Sequence, residues 1–405
     1  MSISFIVTTF DIRPYILECL QSLRPCLRPG DQVILVDDGS TDGTDEVVRD
    51  FIRHEGFGPD VEWTPVWLGV NTIGGVGIPA NIGMDHADRD TVFFVDGDDY
   101  MIPDAFLKAR RAYEAAPADI CFADYLEYDQ QAGQTRPPAD ARKWAELETL
   151  TGAEAVRLAA IGLIAVPWRK FYRAEFLRRH RIRFPEGDFF FEDNPFHWTV
   201  CTLAGTIGFQ RHVICHHRVN RPGQTMASTG TELAAFFTHF ETIRTGLPPT
   251  RDDLRLQAAH WLLGNMSWHI PRLRPAAFHL YAGRAKQALQ QIGDGEWQTL
   301  DAGMNTTTVW HYADRLRQGD TWGVIEAWRS DADRATLSGL RREIGNLANR
   351  LREVERQART AREILQAQQA IDEFAVVKET LGLSQQNYLV ENKGVPAENE
   401  GFYVK

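Results

Sequence analysis

Acidic residues follow two short apolar runs in the first quarter of the chain. Residues 33–36 (VILV) are followed by Asp37 and Asp38, and residues 92–95 (VFFV) are followed by Asp96-Gly97-Asp98-Asp99. Carboxylate oxygens at a strand end can hold Mg²⁺ or Mn²⁺ and still leave coordination positions open for phosphate oxygens. Asp, Gly and Ser are also ordinary turn formers and helix caps, so one such cluster alone is weak evidence. Two clusters at equivalent strand ends favour a ligand-binding crevice.

Two further groups of reactive side chains occur later in the chain. Glu192-Asp193 follows three phenylalanines, where a carboxylate could act as a general base or simply cap a helix. His216-His217 could contact a metal ion or a diphosphate, and with Cys201 and Cys215 it also invites a zinc interpretation. The cysteine and histidine spacing matches no common zinc knuckle. The simplest alternative is a strand with one packed and one solvated histidine.

The elements around the first two clusters alternate between strand and helix patterns. Residues 3–8, 33–36 and 92–95 are predicted strands by their length and their Val, Ile and Phe content, and residues 14–23 and 44–53 are predicted helices. This order predicts an α/β domain with a parallel sheet and right-handed crossovers. Ligands bind such sheets beyond the carboxyl ends of the strands, so both acidic clusters should face one crevice.

Two other motif interpretations fail or weaken on the letters themselves. Residues 38–43 imitate the start of an EF-hand loop, but the twelfth position is Arg49, where a bidentate Glu is needed. Residues 96–100 imitate the D-x-D of haloacid-dehalogenase-type phosphatases, from which Tyr100 departs. A nucleotidyltransferase is disfavoured because no Gly-rich, Lys-bearing phosphate loop follows the first strand.

Five ordered segments between residues 3 and 228 belong together as a pattern. They are residues 5–10 (FIVTTF), 36–42 (VDDGSTD), 71 with 80–83, 96–99 (DGDD), and 166–172 leading to 183–187 and 192–193. Together they resemble the family 2 inverting glycosyltransferases of the GT-A fold, a Rossmann-like α/β domain that binds nucleotide sugars. The chain departs from the family where Thr8-Thr9-Phe10-Asp11 replaces the usual Pro-Thr-Tyr-Asn and where Ala80 replaces a common Arg.

The resemblance implies a set of nucleotide-binding residues. Thr9 and Asp38 would contact the nucleoside, and the Asp38 carboxylate would accept a hydrogen bond from the imide if the base is uracil. Asp11, Asp37 and Asn81 would complete this part of the site. The implied donor is a nucleotide diphosphate sugar, most simply a UDP-sugar.

The resemblance also implies a metal site and a catalytic base. Asp96 would approach both the ribose and a Mn²⁺ or Mg²⁺ ion, Asp98 would bind the metal, and His217 would contact the diphosphate. Asp193 would take the proton from the acceptor hydroxyl, because inversion at the sugar carbon needs a base opposite the departing diphosphate. Glu192 would assist by orienting the loop or the acceptor.

The sequence predicts four segments along the chain. They are a GT-A domain at 1–230, a helical subdomain at 231–332, a coiled coil at 333–378 and a loose polar tail at 379–405.

The last quarter of the chain has a heptad pattern. Apolar residues recur with alternating spacings of 3 and 4, as in heptad a and d positions: Leu337, Leu340, Ile344, Leu347, Leu351, Val354, Ala358, Ala361 and Leu365. This pattern predicts a homo-oligomer, with a helix packed on its own body as the alternative.

Composition bounds the partners and the compartment. The chain has 405 residues and a formal net charge of −11, which argues against a dedicated nucleic-acid binder. Residues 169–183 nevertheless carry a local +6. They could contact anionic lipid headgroups or a pyrophosphate-linked acceptor, or form a solvated helix face. Five cysteines without a C-x-x-C pair, and no signal or membrane-spanning segment, predict a cytoplasmic protein, with peripheral contact at the inner face of the membrane left open.

The leading functional hypothesis is an enzyme. It is a metal-dependent inverting glycosyltransferase that moves a sugar to a hydroxyl of a glycan or lipid-linked glycan in polysaccharide or glycoconjugate synthesis. The alternative is an oligomeric scaffold protein whose GT-A domain binds nucleotide sugar without catalysis. Intact Asp38, Asp96, Asp98 and Asp193 favour the enzyme, because a decayed domain has no physical need to keep every carboxylate.

Overall fold

The computed structural model describes residues 1–221 and 228–391. The chain divides into two compact units, Met1–Arg329 and the segment from Ser330 onward. The first unit contains every described strand and all but one of the described helices, and it carries the candidate site. The second unit is helical over its described residues.

The strands of the first unit form one mixed sheet. They are β1 (Ile3–Thr9), β2 (Gln32–Asp37), β3 (Glu62–Trp67), β4 (Thr91–Asp96), β5 (Tyr100–Met101), β6 (Ile120–Asp129), β7 (Gln134–Arg136), β8 (Lys170–Arg173) and β9 (Ile207–Val219). The order is β3-β2-β1-β4-β8-β6-β9-β5, and β7 pairs with β6. β1 is parallel to both β2 and β4, so the predicted parallel sheet is confirmed there, whereas β8 joins β4 in the antiparallel sense.

The described helices lie between the strands in the first part of the chain, and after β9 the described elements are all helical. They are α1 (Arg13–Leu23), α2 (Thr44–His54), α3 (Gly77–His86), α4 (Pro103–Ala115), α5 (Ala141–Glu146), α6 (Ala153–Ile161), α7 (Ala174–Arg179), α8 (Asp193–Leu203), α9 (Ala235–Gly246), α10 (Asp252–His269), α11 (Phe278–Gln290), α12 (Asp294–Met304), α13 (Thr308–Arg317) and α14 (Thr321–Glu391). The two helices predicted between the first strands are confirmed as α1 and α2, each longer by one residue.

The core sits on the central strands of the sheet. All six residues of β2 are buried, as expected for a parallel strand that is covered on both faces. Phe5 on β1 and Phe93 on β4 lie 5.9 Å apart between ring centroids, and Phe93 lies 5.0 Å from Phe171 on β8. This aromatic cluster packs the antiparallel strand β8 against the parallel strands whose ends carry the acidic residues.

The basic stretch at residues 169–183 is not one exposed face. Arg169 and Lys170 are fully buried, with the Arg169 guanidinium 2.7 Å from Asp140 and the Lys170 ammonium donating to backbone carbonyls. Arg183 forms an ion pair with Asp85 at 2.5 Å. The stretch is therefore not one contiguous basic patch, because it begins as a buried strand, whereas Arg178 and Arg179 at the end of α7 are exposed. Peripheral membrane contact stays a prediction. Among the described helices, none combines the length and hydropathy that crossing a membrane requires.

The second unit consists, over its described residues, of the continuation of α14. The residues of the predicted heptad seam are exposed, for example Leu337 at 54% and Ile344 at 65%. The helix continues to Glu391, so the expectation of a loose tail from residue 379 is wrong for the first part of that segment. The remainder, residues 392–405, lies outside the described residues. Self-association through the seam stays a prediction.

Candidate active site

The register of β1 brings the two acidic clusters to one edge of the sheet. Thr9 pairs with Asp37 on β2, and the preceding Thr8 pairs with Asp96 on β4. Because the three strands are parallel, their carboxyl ends meet at the same edge. The two acidic clusters therefore lie at one edge of the sheet, as the sequence predicts.

Asp38 is buried at this edge and is held by the segment after β3. One carboxylate oxygen accepts from the Thr72 backbone N–H at 2.8 Å, and the other accepts from the Thr72 hydroxyl and the Asn71 amide, both at 3.0 Å. Burial raises the pKa of Asp38, and the hydrogen bonds from Thr72 oppose that rise. Thr72 was not predicted from the sequence, since nothing in its local pattern distinguishes it from an ordinary loop residue.

Thr9, Asp37 and Asp11 shape the loop that follows β2. The Thr9 hydroxyl donates to Asp37 at 2.8 Å, and the Asp37 carboxylate also accepts from the Ser40 backbone at 3.0 Å and the Ser40 hydroxyl at 2.6 Å. Asp11 is exposed, adopts φ +46°, and accepts from the Thr41 backbone at 2.7 Å. These contacts order the loop immediately beside Asp38.

Asn81, on α3, holds the segment that leads to the predicted base. Its amide donates to the Phe184 carbonyl at 2.9 Å and to Glu186 at 2.8 Å, and its oxygen accepts from the Phe184 N–H at 2.9 Å. Both amide hydrogens are therefore engaged within the protein. The structure places Asn81 as a buried link between α3 and residues 184–186.

Asp96, Asp99 and His217 form a cluster that could hold a metal ion. One potential ligand atom from each lies within 4.8 Å of the others. His217 Nδ1 lies 3.0 and 3.2 Å from the two oxygens of Asp99. Burial raises the pKa of Asp96 well above its ordinary value, and Asp99 and Asp98 raise it further. Burial lowers the pKa of His217, but Asp99 and Asp96 outweigh it and raise the pKa to about 9.

Asp98 has a different partner from the one expected. Its carboxylate pairs with the Arg221 guanidinium, and its backbone carbonyl accepts from Arg218 Nε at 2.8 Å. The structure thus groups Asp96 with Asp99 and His217, while Asp98 faces Arg221. Asp99 was missed as a candidate, although its place in the DGDD run was the available signal.

Arg218 anchors the strand that carries His217. It is 4% exposed, pairs with Glu18 at 2.6 Å, and lies over the rings of Tyr15 at 4.9 Å and Tyr100 at 5.3 Å. A guanidinium stacked between aromatic rings is held in one orientation. No sequence motif marked Arg218, because the two tyrosines and Glu18 come from distant parts of the chain.

Glu192 and Asp193 lie at the start of α8. Glu192 is 3% exposed, and its carboxylate accepts from the Gly77 backbone N–H at 2.5 Å. Asp193 is the first residue of the helix and lies partly exposed beside Asn194. Burial raises the pKa of Asp193, and the nearby Lys170 ammonium opposes that rise. The arrangement leaves one embedded carboxyl that fixes the loop and one more accessible carboxyl that could exchange a proton.

Within residues 1–221 and 228–391, the cysteines belong to no metal-binding group. Among the described residues, the cluster of Asp96, Asp99 and His217 contains no thiol. Cys201 lies in α8 with its sulfur 3.9 Å from His197, and Cys215 is buried on β9. The zinc interpretation therefore has no support in the described part of the chain.

Comparison with known proteins gives a consistent family assignment. A family model described as glycosyl transferase family 2 matches residues 4–206. The uncharacterized glycosyltransferase EpsJ of Bacillus subtilis is 28% identical over 199 residues, which are 48% of this chain and 54% of EpsJ. Poly(ribitol-phosphate) beta-N-acetylglucosaminyltransferase TarS of Staphylococcus aureus is 26% identical over 230 residues, 56% of this chain and 37% of TarS. The match thus spans about half the length of EpsJ and less of TarS.

A solved structure shares the fold over most of the chain. S. aureus TarS 1–349 in complex with UDP-GlcNAc superposes with a TM-score of 0.61 at 22% identity, covering 82% of this chain and 92% of that chain. At this identity the similarity concerns the fold. It covers more of the chain than the family match, so it includes part of the region after residue 206.

Proposed function

This chain belongs to glycosyl transferase family 2 and has the GT-A fold, and from that premise we propose that it is a metal-dependent inverting enzyme. In this proposal it transfers a sugar from a UDP-sugar to an acceptor hydroxyl. The observation that carries the proposal is the grouping of Asp96, Asp99 and His217 at the same sheet edge as Asp38. A bound nucleotide sugar would place its base beside Asp38 and its diphosphate beside Asp96, Asp99 and His217.

The donor nucleotide would be recognised through Asp38. Three donors from Asn71 and Thr72 use three of the roughly four acceptor positions of a carboxylate. The remaining position could accept the imide N–H of uracil, which supports a UDP-sugar, as does the UDP-GlcNAc bound by TarS. Thr9, Asp11 and Asp37 would support this contact by holding the loop around Asp38.

A divalent cation would be held by Asp96, Asp99 and His217. Two carboxylates and an imidazole are a donor set that suits Mn²⁺ and, with more oxygen ligands, Mg²⁺. Asp98 would join the set once its ion pair with Arg221 opens. Bound there, the cation would offset negative charge on the departing diphosphate. His217 would bind in its neutral form, so cation binding would release a proton from this raised-pKa imidazole.

Asp193 would take the proton of the acceptor hydroxyl. Burial raises its pKa, which strengthens it as a base at neutral pH. Glu192 would act differently, because its carboxyl is buried against Gly77 and orients the loop before α3. Asp193 would therefore transfer the proton, and Glu192 would position the loop.

The acceptor would be a glycan or a lipid-linked glycan. TarS is named a poly(ribitol-phosphate) beta-N-acetylglucosaminyltransferase, and this name supports a repeating, hydroxyl-rich acceptor for this chain too. Self-association through α14 would hold several sites together and raise the effective concentration of a growing polymer. That feature would suit repeated addition to one chain.

The test is a donor panel. The protein is incubated with nucleotide sugars and Mn²⁺, and release of nucleotide diphosphate is measured, with Asp96→Asn as the negative control. Release from one or more UDP-sugars that the control lacks is the expected result. If UDP-sugars bind but no nucleotide is released with or without glycan acceptors, the non-catalytic scaffold alternative holds instead.

A further inference from the structure

Three consecutive phenylalanines immediately precede the Glu192-Asp193 pair, and helix α9 holds them. The Nε2 atom of His239 lies 2.7 Å from the Phe190 carbonyl oxygen. The same imidazole meets the Phe189 ring edge-on at 4.9 Å. One turn earlier on α9, Phe236 contacts Phe191 at 4.8 Å. Each of the three phenylalanines thus has a partner on one helix of the region after residue 230.

The contact between His239 and the Phe190 carbonyl is a defined hydrogen bond. A carbonyl can only accept, so Nε2 of His239 must carry the hydrogen. The side chain is fully buried, and burial lowers its pKa to about 4, so it is neutral at neutral pH. Its other nitrogen, Nδ1, has no hydrogen-bond partner among the described residues. The Nε2–H tautomer therefore serves the Phe190 carbonyl alone.

The backbone that His239 holds is strained. Phe191 adopts φ +68°, a left-handed conformation that is unfavourable for a bulky side chain. Such a conformation persists only where the surroundings determine it, and it is common next to functional groups. Loss of one restraint would allow this segment to relax toward an ordinary backbone conformation. The next two residues are Glu192 and Asp193, so relaxation would move the proposed base.

The same segment is also restrained by the glycine-rich turn before α3. The Gly75 N–H donates to the Phe189 carbonyl at 3.1 Å. Gly74 has φ +82°, and a Cβ there would lie 2.2 Å from the Gly187 carbonyl oxygen and 2.6 Å from that of Phe189. The turn therefore approaches residues 187–189 as closely as glycine allows. Residues 187–191 are held by the turn through Phe189 and by α9 through Phe190.

We propose that His239 is a positioning residue for sugar transfer: through the Phe190 carbonyl, α9 fixes the backbone that presents Asp193 to the acceptor. This inference rests on the proposed function, in which Asp193 is the base. The helical region after residue 230 carries no recognisable motif, and this inference assigns it a role in sugar transfer. A reacting group that is displaced by about 1 Å can lose about 10²-fold in rate, so a small relaxation suffices.

The variants separate the hydrogen bond from the packing. His239→Phe keeps a ring of similar size and removes the donor, whereas His239→Gln can donate from its own amide nitrogen. His239→Asn carries its amide on a side chain one methylene shorter, so its donor falls short of the Phe190 carbonyl, and it serves as a second loss-of-contact variant if the Phe variant folds poorly. Arg244→Met is the matched control, because Arg244 is buried on the same helix and its ion pair is with Glu296 at 3.0 Å.

Three readouts test the full-length protein. They are the kcat of transfer to acceptor, the Kd for UDP with Mn²⁺, and amide hydrogen exchange in the peptide spanning residues 186–192. For His239→Phe and His239→Asn we expect kcat to fall roughly 10- to 100-fold, faster exchange in that peptide, and a UDP Kd within about threefold of wild type. His239→Gln should restore kcat to within about threefold of wild type. Arg244→Met should lower the melting temperature and leave kcat and the exchange unchanged.

Two results would overturn the inference. One is an unchanged kcat and unchanged exchange in both His239→Phe and His239→Asn. The other is an equal loss in Arg244→Met, which would mean that any weakening of α9 has the same effect. Failure of the proposed function is recognised separately, because then the wild-type protein itself transfers no sugar from any donor tested.

Discussion

Glu192 accepts a hydrogen bond from the backbone N–H of Gly77 at 2.5 Å and so joins the start of α8 to the start of α3. There is no space for a side chain beside it, since a Cβ on Gly75 would lie 2.6 Å from the Glu192 carboxylate. Burial raises the pKa of Glu192 to about 7, and the charge of Asp193 adds to the rise, while the bond from Gly77 opposes it. A carboxyl held in this way makes the stability of the site depend on pH.

Glu192→Gln should reveal that dependence. The folded state holds the Glu192 proton more tightly than the unfolded chain, so the stabilisation is complete below pH 4.5 and is lost as pH rises to about 7. Glutamine keeps an acceptor for Gly77 and cannot ionise. The free energy of unfolding of Glu192→Gln minus that of wild type should therefore increase between about pH 5 and about pH 8, by on the order of 3 kcal/mol at most.

Denaturant unfolding across that pH range measures the difference. Glu175→Gln, at an exposed carboxylate on α7, is the control and should show no such trend. A difference between Glu192→Gln and wild type that stays flat with pH would mean that Glu192 titrates normally.

Asp193→Asn should separate donor binding from transfer. The amide keeps the shape of the carboxylate and cannot accept a proton, so transfer should fall by roughly 10²–10⁴. The Kd for UDP with Mn²⁺ should stay within a few-fold, because Asp193 lies outside the cluster of Asp96, Asp99 and His217. Asp188→Asn, an exposed carboxylate in the same loop, is the control that should retain normal transfer. Normal turnover by Asp193→Asn would exclude this residue as the base.

His217→Ala should weaken Mn²⁺ binding, whereas His216→Ala should not. His217 lies against Asp99 and belongs to the acidic cluster, but its neighbour His216 stacks on Tyr100 at 4.8 Å. Loss of an imidazole ligand should raise the Kd for Mn²⁺ at least about 10-fold, as measured by electron paramagnetic resonance of free Mn²⁺. Asp96→Asn should behave like His217→Ala. Equal effects of the two histidine substitutions would place the cation elsewhere.

Oligomerisation should depend on one face of α14. Leu340→Glu combined with Leu347→Glu puts two charges on the predicted seam and should yield a monomer by light scattering. Ser338→Glu combined with Asn349→Glu adds the same charge on the opposite side of the helix and should keep the oligomer. Removal of residues 335–405 should also give a monomer, one that still hydrolyses donor but makes shorter products.

That prediction has a clear contrary outcome. If the full-length protein is monomeric at tens of micromolar, the apolar seam of α14 does not mediate self-association. If the truncated protein keeps the oligomeric state of the full chain, another surface is responsible.

The elements that build the sheet edge were predictable from local pattern. Runs such as VILV and VFFV are β-branched and aromatic over strand length, and the rule that parallel strands end at one edge then brings Asp38 and Asp96 together. The helices α1 and α2 followed from their spacing in the same way. These features depend on neighbours within a few residues or on a general property of parallel sheets, so no knowledge of distant contacts was needed.

The partners of the acidic residues were decided only by the tertiary structure. β5 pairs with β9 so that Tyr100 lies opposite His216, and this antiparallel register brings Asp99 beside His217 while Asp98 meets Arg221. If the pairing of β5 with β9 were shifted by one residue, Asp99 would no longer lie beside His217, and the contact of Asp98 with Arg221 would change as well. The burial of Lys170 likewise follows from β8 joining the sheet. Such outcomes depend on the pairing of segments about one hundred residues apart, which no local pattern in the sequence records.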